Sequence, residues 1–137
     1  MILRLSSTHG EKNFKGTNAR NQSIQLSGSE QAVGPMESVA MALAGCSAVD
    51  VELILGKMRQ EFSSIDVEIE TERAVDEVPA VFTKIHLHFI VTGHGLKVDK
   101  VAQSVQMSID TYCSVAKMLK ATVPITYSTE VVEAAKI

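Results

Sequence analysis

The chain has no tryptophan, and aromatic residues make up only 4% of its 137 positions. That scarcity argues against a platform on which nucleic-acid bases would stack. Basic residues are not in excess: 13 Lys and Arg face 16 Asp and Glu, a net charge of −3. Nothing in this balance attracts nucleic acid or an anionic membrane surface. Cysteine occurs twice, as Cys46 and Cys113. The two are far apart and form no C-x-x-C motif, no zinc spacing and no framework of structural bridges. The opening residues, MILRLSSTHGEKNFKG, lack the charged-then-apolar layout of a signal peptide. The most apolar run, Val39 to Val49, is interrupted by Gly45 and Ser47 and falls short of the ~20 residues that cross a bilayer. The expected compartment is therefore the cytoplasm, where thiols stay reduced unless chemistry oxidises them.

Hydrophobic residues reach 45% and charged residues 21%, the balance of an ordinary globular protein. The length suits one domain, 1–137, burying roughly 68–70% of its unfolded surface. Residues 1–31 read as short strands between turns, with Gly10 and Gly16 as punctuation and Ser23-Ile24-Gln25-Leu26 alternating polar with apolar. Pro35 suits the first turn of a helix, because its missing N–H has no partner to lose there. A helix is predicted from about Pro35 to about Arg59. Its first half, Val39 to Cys46, is apolar on every side, and its second half puts Asp50, Glu52 and Lys57 on a wet side. An all-apolar helix has to be covered all round. A domain this small hardly manages that alone, so a partner subunit is the natural remedy and an intimate homodimer is expected.

Ile65, Val67 and Ile69 alternate with Asp66, Glu68 and Glu70, which predicts a strand with one dry and one wet face. After a turn at Asp76–Pro79, residues Ile85, Leu87, Phe89 and Val91 share a second dry face, giving a hairpin with a long loop. Beyond Gly93-His94-Gly95, the residues Val98, Val101, Val105, Ile109, Tyr112, Ala116 and Leu119 recur at helical spacing, Cys113 joins that apolar stripe, and the pattern leaves open a kink or break at Asp110–Ser114. Pro124 closes this region, and Ile125, Tyr127, Thr129 and Val131 read as a last strand. The fold class is α+β, with helices packed on antiparallel sheets.

Each chemical candidate has a plain structural reading beside it. Cys46 and Cys113 lie in apolar stretches, where cysteine is often a small buried residue. A reactive thiol needs its anion stabilised, since a free cysteine near pKa ~8.5 is mostly protonated at neutral pH. His86 and His88 share one strand face and could present two imidazoles to a metal, but no third ligand is near in sequence, so a solvated face is the simpler reading. His9 and His94 adjoin glycines in turns. The Glu68, Glu70, Glu72 row is a wet strand face, and Met36, Met41 and Met58 are gap-fillers. No G-x-S-x-G, P-loop, H-E-x-x-H or G-x-G-x-x-G motif is present.

Two blocks carry a family resemblance. Gly34-Pro35-Met36-Glu37-Ser38, followed by Ala42-Leu43-Ala44-Gly45-Cys46-Ser47, resembles the central helix of the OsmC/Ohr family (osmotically inducible protein C and organic hydroperoxide resistance proteins). Tyr112-Cys113-Ser114-Val115-Ala116-Lys117 resembles that family's second cysteine block. The order of predicted elements agrees over nearly the whole chain. Pro35-Met36-Glu37 together with Cys46-Ser47-Ala48-Val49-Asp50 is similar to the YhfA-like branch.

The resemblance implies an OsmC-like fold, an intertwined homodimer with long helices at its centre, and sites at the subunit interface. It also implies peroxidase chemistry on organic hydroperoxides or hydrogen peroxide. In that scheme Cys46 attacks the peroxide and becomes a sulfenic acid, Cys113 condenses with it to a disulfide, and a dithiol reductant of lipoyl or similar type reopens the bridge. No metal, haem, flavin or other cofactor is implied. Peroxidatic relatives activate the thiolate with an arginine from the N-terminal segment, oriented by a glutamate ten residues before the cysteine. Here that position is Met36, and Glu37, nine residues before, faces away from Cys46 on a regular helix. Glu37 and Arg20, with Arg4 second, are the substrate-site candidates. Their plain readings are a charge placed at a helix start and a solvated loop residue. Two functions follow as expectations: a cysteine-based peroxidase, or a non-peroxidase OsmC-like dimer that binds a small molecule or performs general thiol redox chemistry.

Overall fold

A computed structural model of the chain describes residues 1–7 and 10–135. His9 lies outside the described residues. The backbone divides into two compact units, Met1–Met41 and Ala42–Ile137.

The first unit is built on a three-stranded antiparallel meander, β1 (Arg4–Ser7), β2 (Asn13–Thr17) and β3 (Ser23–Ser27), in that spatial order. The turn between β2 and β3 is made by Asn18, whose Oδ1 accepts the amides of Arg20 and Gln22 at 3.0 Å each. This is the short-range self-bonding that makes Asn a turn residue. Leu3, Leu5, Ile24 and Leu26 line an apolar concavity of about 470 Å³ on this sheet.

The long helix α1 spans Pro35–Lys57. Its start is chemically specified. Pro35 takes the first helical position, the Ser38 amide bonds the Gly34 carbonyl at 2.9 Å, and Glu37 Oε1 reaches back to accept the Gly34 N–H at 2.8 Å. That is the carboxylate half of a capping box. Its end is equally definite: Gln60 N–H bonds the Leu55 carbonyl and Arg59 N–H the Gly56 carbonyl, with Arg59 at φ 57°. The pattern is a Schellman motif. By length and composition α1 is apolar enough to cross a membrane, a property that core helices share. Leu43, Ser47, Val51 and Leu55, on one side of it, are wholly buried.

In the second unit β4 (Glu61–Arg73), β5 (Phe82–His94) and β6 (Ile125–Glu133) form a sheet in that order. β4 and β5 are the expected hairpin, antiparallel from Glu61 opposite His94 to Arg73 opposite Phe82. Ile85, Leu87, Phe89 and Val91 of β5 are fully buried, as their alternation predicts. The α+β class holds, but one strand pair departs from the antiparallel expectation: β6 runs parallel to β5, from Ile85 opposite Ile125 to Gly93 opposite Glu133. The reason is the connection. A helical crossover, not a tight turn, joins the two strands, and such a crossover returns the chain in the same direction.

That crossover carries the site. α2 (Val98–Met107) passes into a single π-helical turn, Ser108–Tyr112, and α3 (Ser114–Leu119) follows. The expected break at Asp110–Ser114 is this turn. A π turn inserts one extra residue, so the inward stripe changes phase there. Val101, Val105, Ile109 and Ala116 are buried as the spacing predicts, but Tyr112 is 57% exposed and Cys113 takes the inward place at 2%. Phe89 is the largest fully buried side chain. Phe89→Ala is expected to lower unfolding free energy by about 3–5 kcal/mol in a denaturant titration.

Candidate active site

Cys113 is the residue on which the crossover turns. It ends the π turn and starts α3, with an extended backbone at φ −73°, ψ 112°. Its N–H donates to the Ser108 carbonyl at 2.7 Å, the bond that closes the wide turn. Its Sγ accepts the Ala116 amide at 3.4 Å, capping α3, and faces the Leu43 carbonyl of α1 at 3.9 Å. Burial pushes the Cys113 thiol up from 9.0 to about 11, the Ala116 amide opposes the rise, and the adjacent Cys46 sulfur adds to it by hydrogen bonding and by charge. The two sulfurs are thus neighbours, contributed by α1 and by the crossover, and both thiols are free. They differ in environment. Cys113 is sealed and holds its proton at neutral pH, whereas Cys46 is half-buried and open to a reactant.

A buried polar network lies beside them. Ser47 and Ser108, both fully buried, bring their hydroxyls to 2.9 Å. Ser108 Oγ also donates to Asp50 Oδ2 at 3.0 Å. Asp50 therefore does not stand on a wet helix side as expected. It lies one helical turn beyond Cys46 and turns toward the crossover, because the carboxylate satisfies a hydroxyl that has no water to bond. At the other end of the π turn, Lys120 Nζ donates to the Ile109 and Asp110 carbonyls at 3.3 Å each. The Tyr127 hydroxyl is pushed up by burial and by the Asp110 carboxylate. Next to this network is a cleft of about 500 Å³, lined by Asp50, Leu53, Ile54, Lys57, Met58, Met107 and Tyr112. It is an apolar space with charge at its rim.

Sequence reasoning missed Ser47, Ser108 and Asp50. The available signal was two serines inside otherwise apolar helical faces, since a buried hydroxyl demands a partner. The other candidates have local surroundings of their own. Glu37 is occupied in capping α1 through Gly34. Arg20 lies exposed in the β2–β3 turn, its Nε donating to Gln22 Oε1 at 3.1 Å, and Arg4 is exposed on β1. His86 and His88 are tied to β6: His86 meets Thr126 Oγ1 at 2.6 Å and Ser128 Oγ at 2.9 Å, and His88 meets the same Ser128 at 2.6 Å. Among the described residues no three or more His, Cys, Asp or Glu gather as a metal site requires.

A family profile described as OsmC-like protein matches residues 28–128. The chain belongs to the OsmC-like family. It is 48% identical over 123 residues to Protein YhfA of Escherichia coli (strain K12), covering 88% of this chain and 91% of that one. A hypothetical protein from Aquifex aeolicus VF5 has a solved structure at TM-score 0.87 and 26% identity, over 98% of this chain and 97% of its own. The organic hydroperoxide resistance protein OhrB of Bacillus subtilis shares the fold at TM-score 0.64 and 15% identity, over 95% and 98% of the respective chains.

The raised Cys113 titration has a stability consequence for this OsmC-like protein. Between about pH 9 and 11 the unfolded chain loses a proton that the folded chain keeps. Folding stability attributable to Cys113 is complete below that window and declines as pH rises through it. Denaturant titrations from pH 8 to 11 are expected to show a steeper loss in wild type than in Cys113→Ser.

Proposed function

We propose that this OsmC-like protein is a thiol-dependent peroxidase that reduces organic hydroperoxides or hydrogen peroxide. The observation that supports it is the unequal thiol pair: a half-buried Cys46 beside a sealed, protonated Cys113. In the first step the Cys46 thiolate attacks the terminal peroxide oxygen. The O–O bond breaks, the alcohol leaves with a proton, and Cys46 becomes a sulfenic acid. In the second step Cys113 loses its proton and attacks the Cys46 sulfur, expelling water and forming the Cys46–Cys113 disulfide. A dithiol reductant, lipoyl-type or other, then returns both thiols by exchange and is itself oxidised to a disulfide. Local geometry favours the second step, since neighbouring sulfurs need little movement to reach bonding distance.

Glu37 and Arg20 are proposed as substrate-site residues, to be tested as such. The whole chain, 1–137, acts in this reading as one OsmC-like domain in the cytoplasm. It works as a homodimer, because α1 leaves the apolar Val39, Met41, Val49 and Leu53 36–61% exposed on more than one side, surface that a second subunit covers. A second reading draws on the cleft beside Asp50 and Tyr112: a non-peroxidase OsmC-like dimer that binds a small apolar molecule or performs general thiol redox chemistry.

Thiol counting separates the two readings. Reduced protein treated with stoichiometric cumene hydroperoxide is expected to lose two thiols per chain. Cys46→Ser should lose none, and Cys113→Ser should stop at a sulfenic acid that over-oxidises in excess peroxide. Wild type that keeps both thiols under these conditions supports the second reading instead.

A further inference from the structure

The inward stripe of the crossover, extended in plain α-helical register from Val101, Val105 and Ile109, falls on Tyr112. The π turn replaces Tyr112 with Cys113 at that place. In an uninterrupted helix each residue advances about 100°, so rewinding the turn by one residue swings Cys113 off the face that meets Leu43 and Cys46. A π turn is a rare and strained choice for a backbone, and it persists when surrounding groups hold it. Here they are identifiable. Ser108 contributes the carbonyl that takes the Cys113 amide at 2.7 Å, and its own hydroxyl is fixed by Asp50 at 3.0 Å and Ser47 at 2.9 Å. The Ile109 and Asp110 carbonyls, which a regular α-helix would give to the Cys113 and Ser114 amides, go to Lys120 instead.

We propose that Asp50 and Ser108 are positioning residues for Cys113, holding the π turn in the register that keeps its thiol beside Cys46. The inference rests on the reading of Cys46 and Cys113 as a bridging pair, and adds the residues that set its geometry. Neither Asp50 nor Ser108 needs to touch the peroxide. Their effect falls on the second chemical step and leaves the first alone.

A two-stage release assay separates the steps without peroxide. Cys46 attacks dithiobis-nitrobenzoate, breaks its S–S bond and frees one thionitrobenzoate, leaving a mixed disulfide on Cys46. Cys113 then gives up its proton, attacks the Cys46 sulfur and frees the second thionitrobenzoate, closing the Cys46–Cys113 bridge. Both releases are read by absorbance, and Cys113→Ser gives the single-release control. Asp50→Ala and Ser108→Ala are expected to slow the second release about tenfold or more, with the first changed less than about twofold, because misplacing a reacting group by about an ångström costs rate on that scale. Asp50→Asn is expected to stay near wild type, since its amide oxygen still accepts the Ser108 proton. Lys120→Met, at an exposed site whose loss spares the core, is expected to slow the second release about threefold, and decides the matter if the buried variants do not fold.

A second release within twofold of wild type in the folded variants overturns the proposal. So does an equal slowing of both releases, or an Asp50→Asn as slow as Asp50→Ala. Wild type that frees only one equivalent removes the bridging pair itself, and the proposal with it. Absence of peroxide reactivity alongside normal two-stage release sinks the peroxidase reading alone.

Discussion

Two serine hydroxyls, Ser47 and Ser108, meet at 2.9 Å inside the protein, from positions 61 residues apart in the chain. Neither touches water, so each must find its partner in protein, and removing Ser108 takes from the buried Ser47 hydroxyl its partner at a cost of about 1–3 kcal/mol. The bond joins α1 to the crossover at the residue after Cys46 and five residues before Cys113. Leu43, Val51 and Leu55, on the same side of α1, are wholly buried, so apolar burial acts on that side of the helix. That force is not directional. The hydroxyl pair and the Asp50 carboxylate supply the direction, selecting one register of the crossover against α1.

The consequence is two thiols with different access, built from one residue type. Burial raises the energy of a Cys113 anion, and the hydrogen bond from Ala116 recovers part of it. Cys46 is only half-buried. Environment alone makes the two thiols unequal, as it makes carboxylate pairs unequal elsewhere. The cleft beside Asp50 and Tyr112 is mostly apolar, with Lys57 among its lining residues.

Much of the fold was legible because its elements are strongly periodic. The alternation of Ile85, Leu87, Phe89 and Val91 and the Pro35 start of α1 are local signals, and both hold. The parallel pairing of β6 was not legible, since it depends on where a long crossover delivers the chain. The phase change at Tyr112 was visible only as a suspected break. Helical spacing assumes a constant turn, and an inserted residue shifts every later position. Asp50 read as solvated because charge predicts exposure on average, and only the tertiary position of Ser108 overrides that expectation. The two cysteines stood out through the family blocks that frame them, whereas the residues that seat them are ordinary serines and an aspartate.

The account turns on the two sulfurs being held side by side in a single chain before any oxidant arrives. The direct measurement is peptide mapping by mass spectrometry after brief oxidation with diamide, which takes two electrons from a thiol pair without peroxide. The account predicts one linked pair, Cys46 with Cys113, in protein that migrates as a monomer without reductant. Links between chains, or two thiols left free while an exposed dithiol control closes, would contradict it.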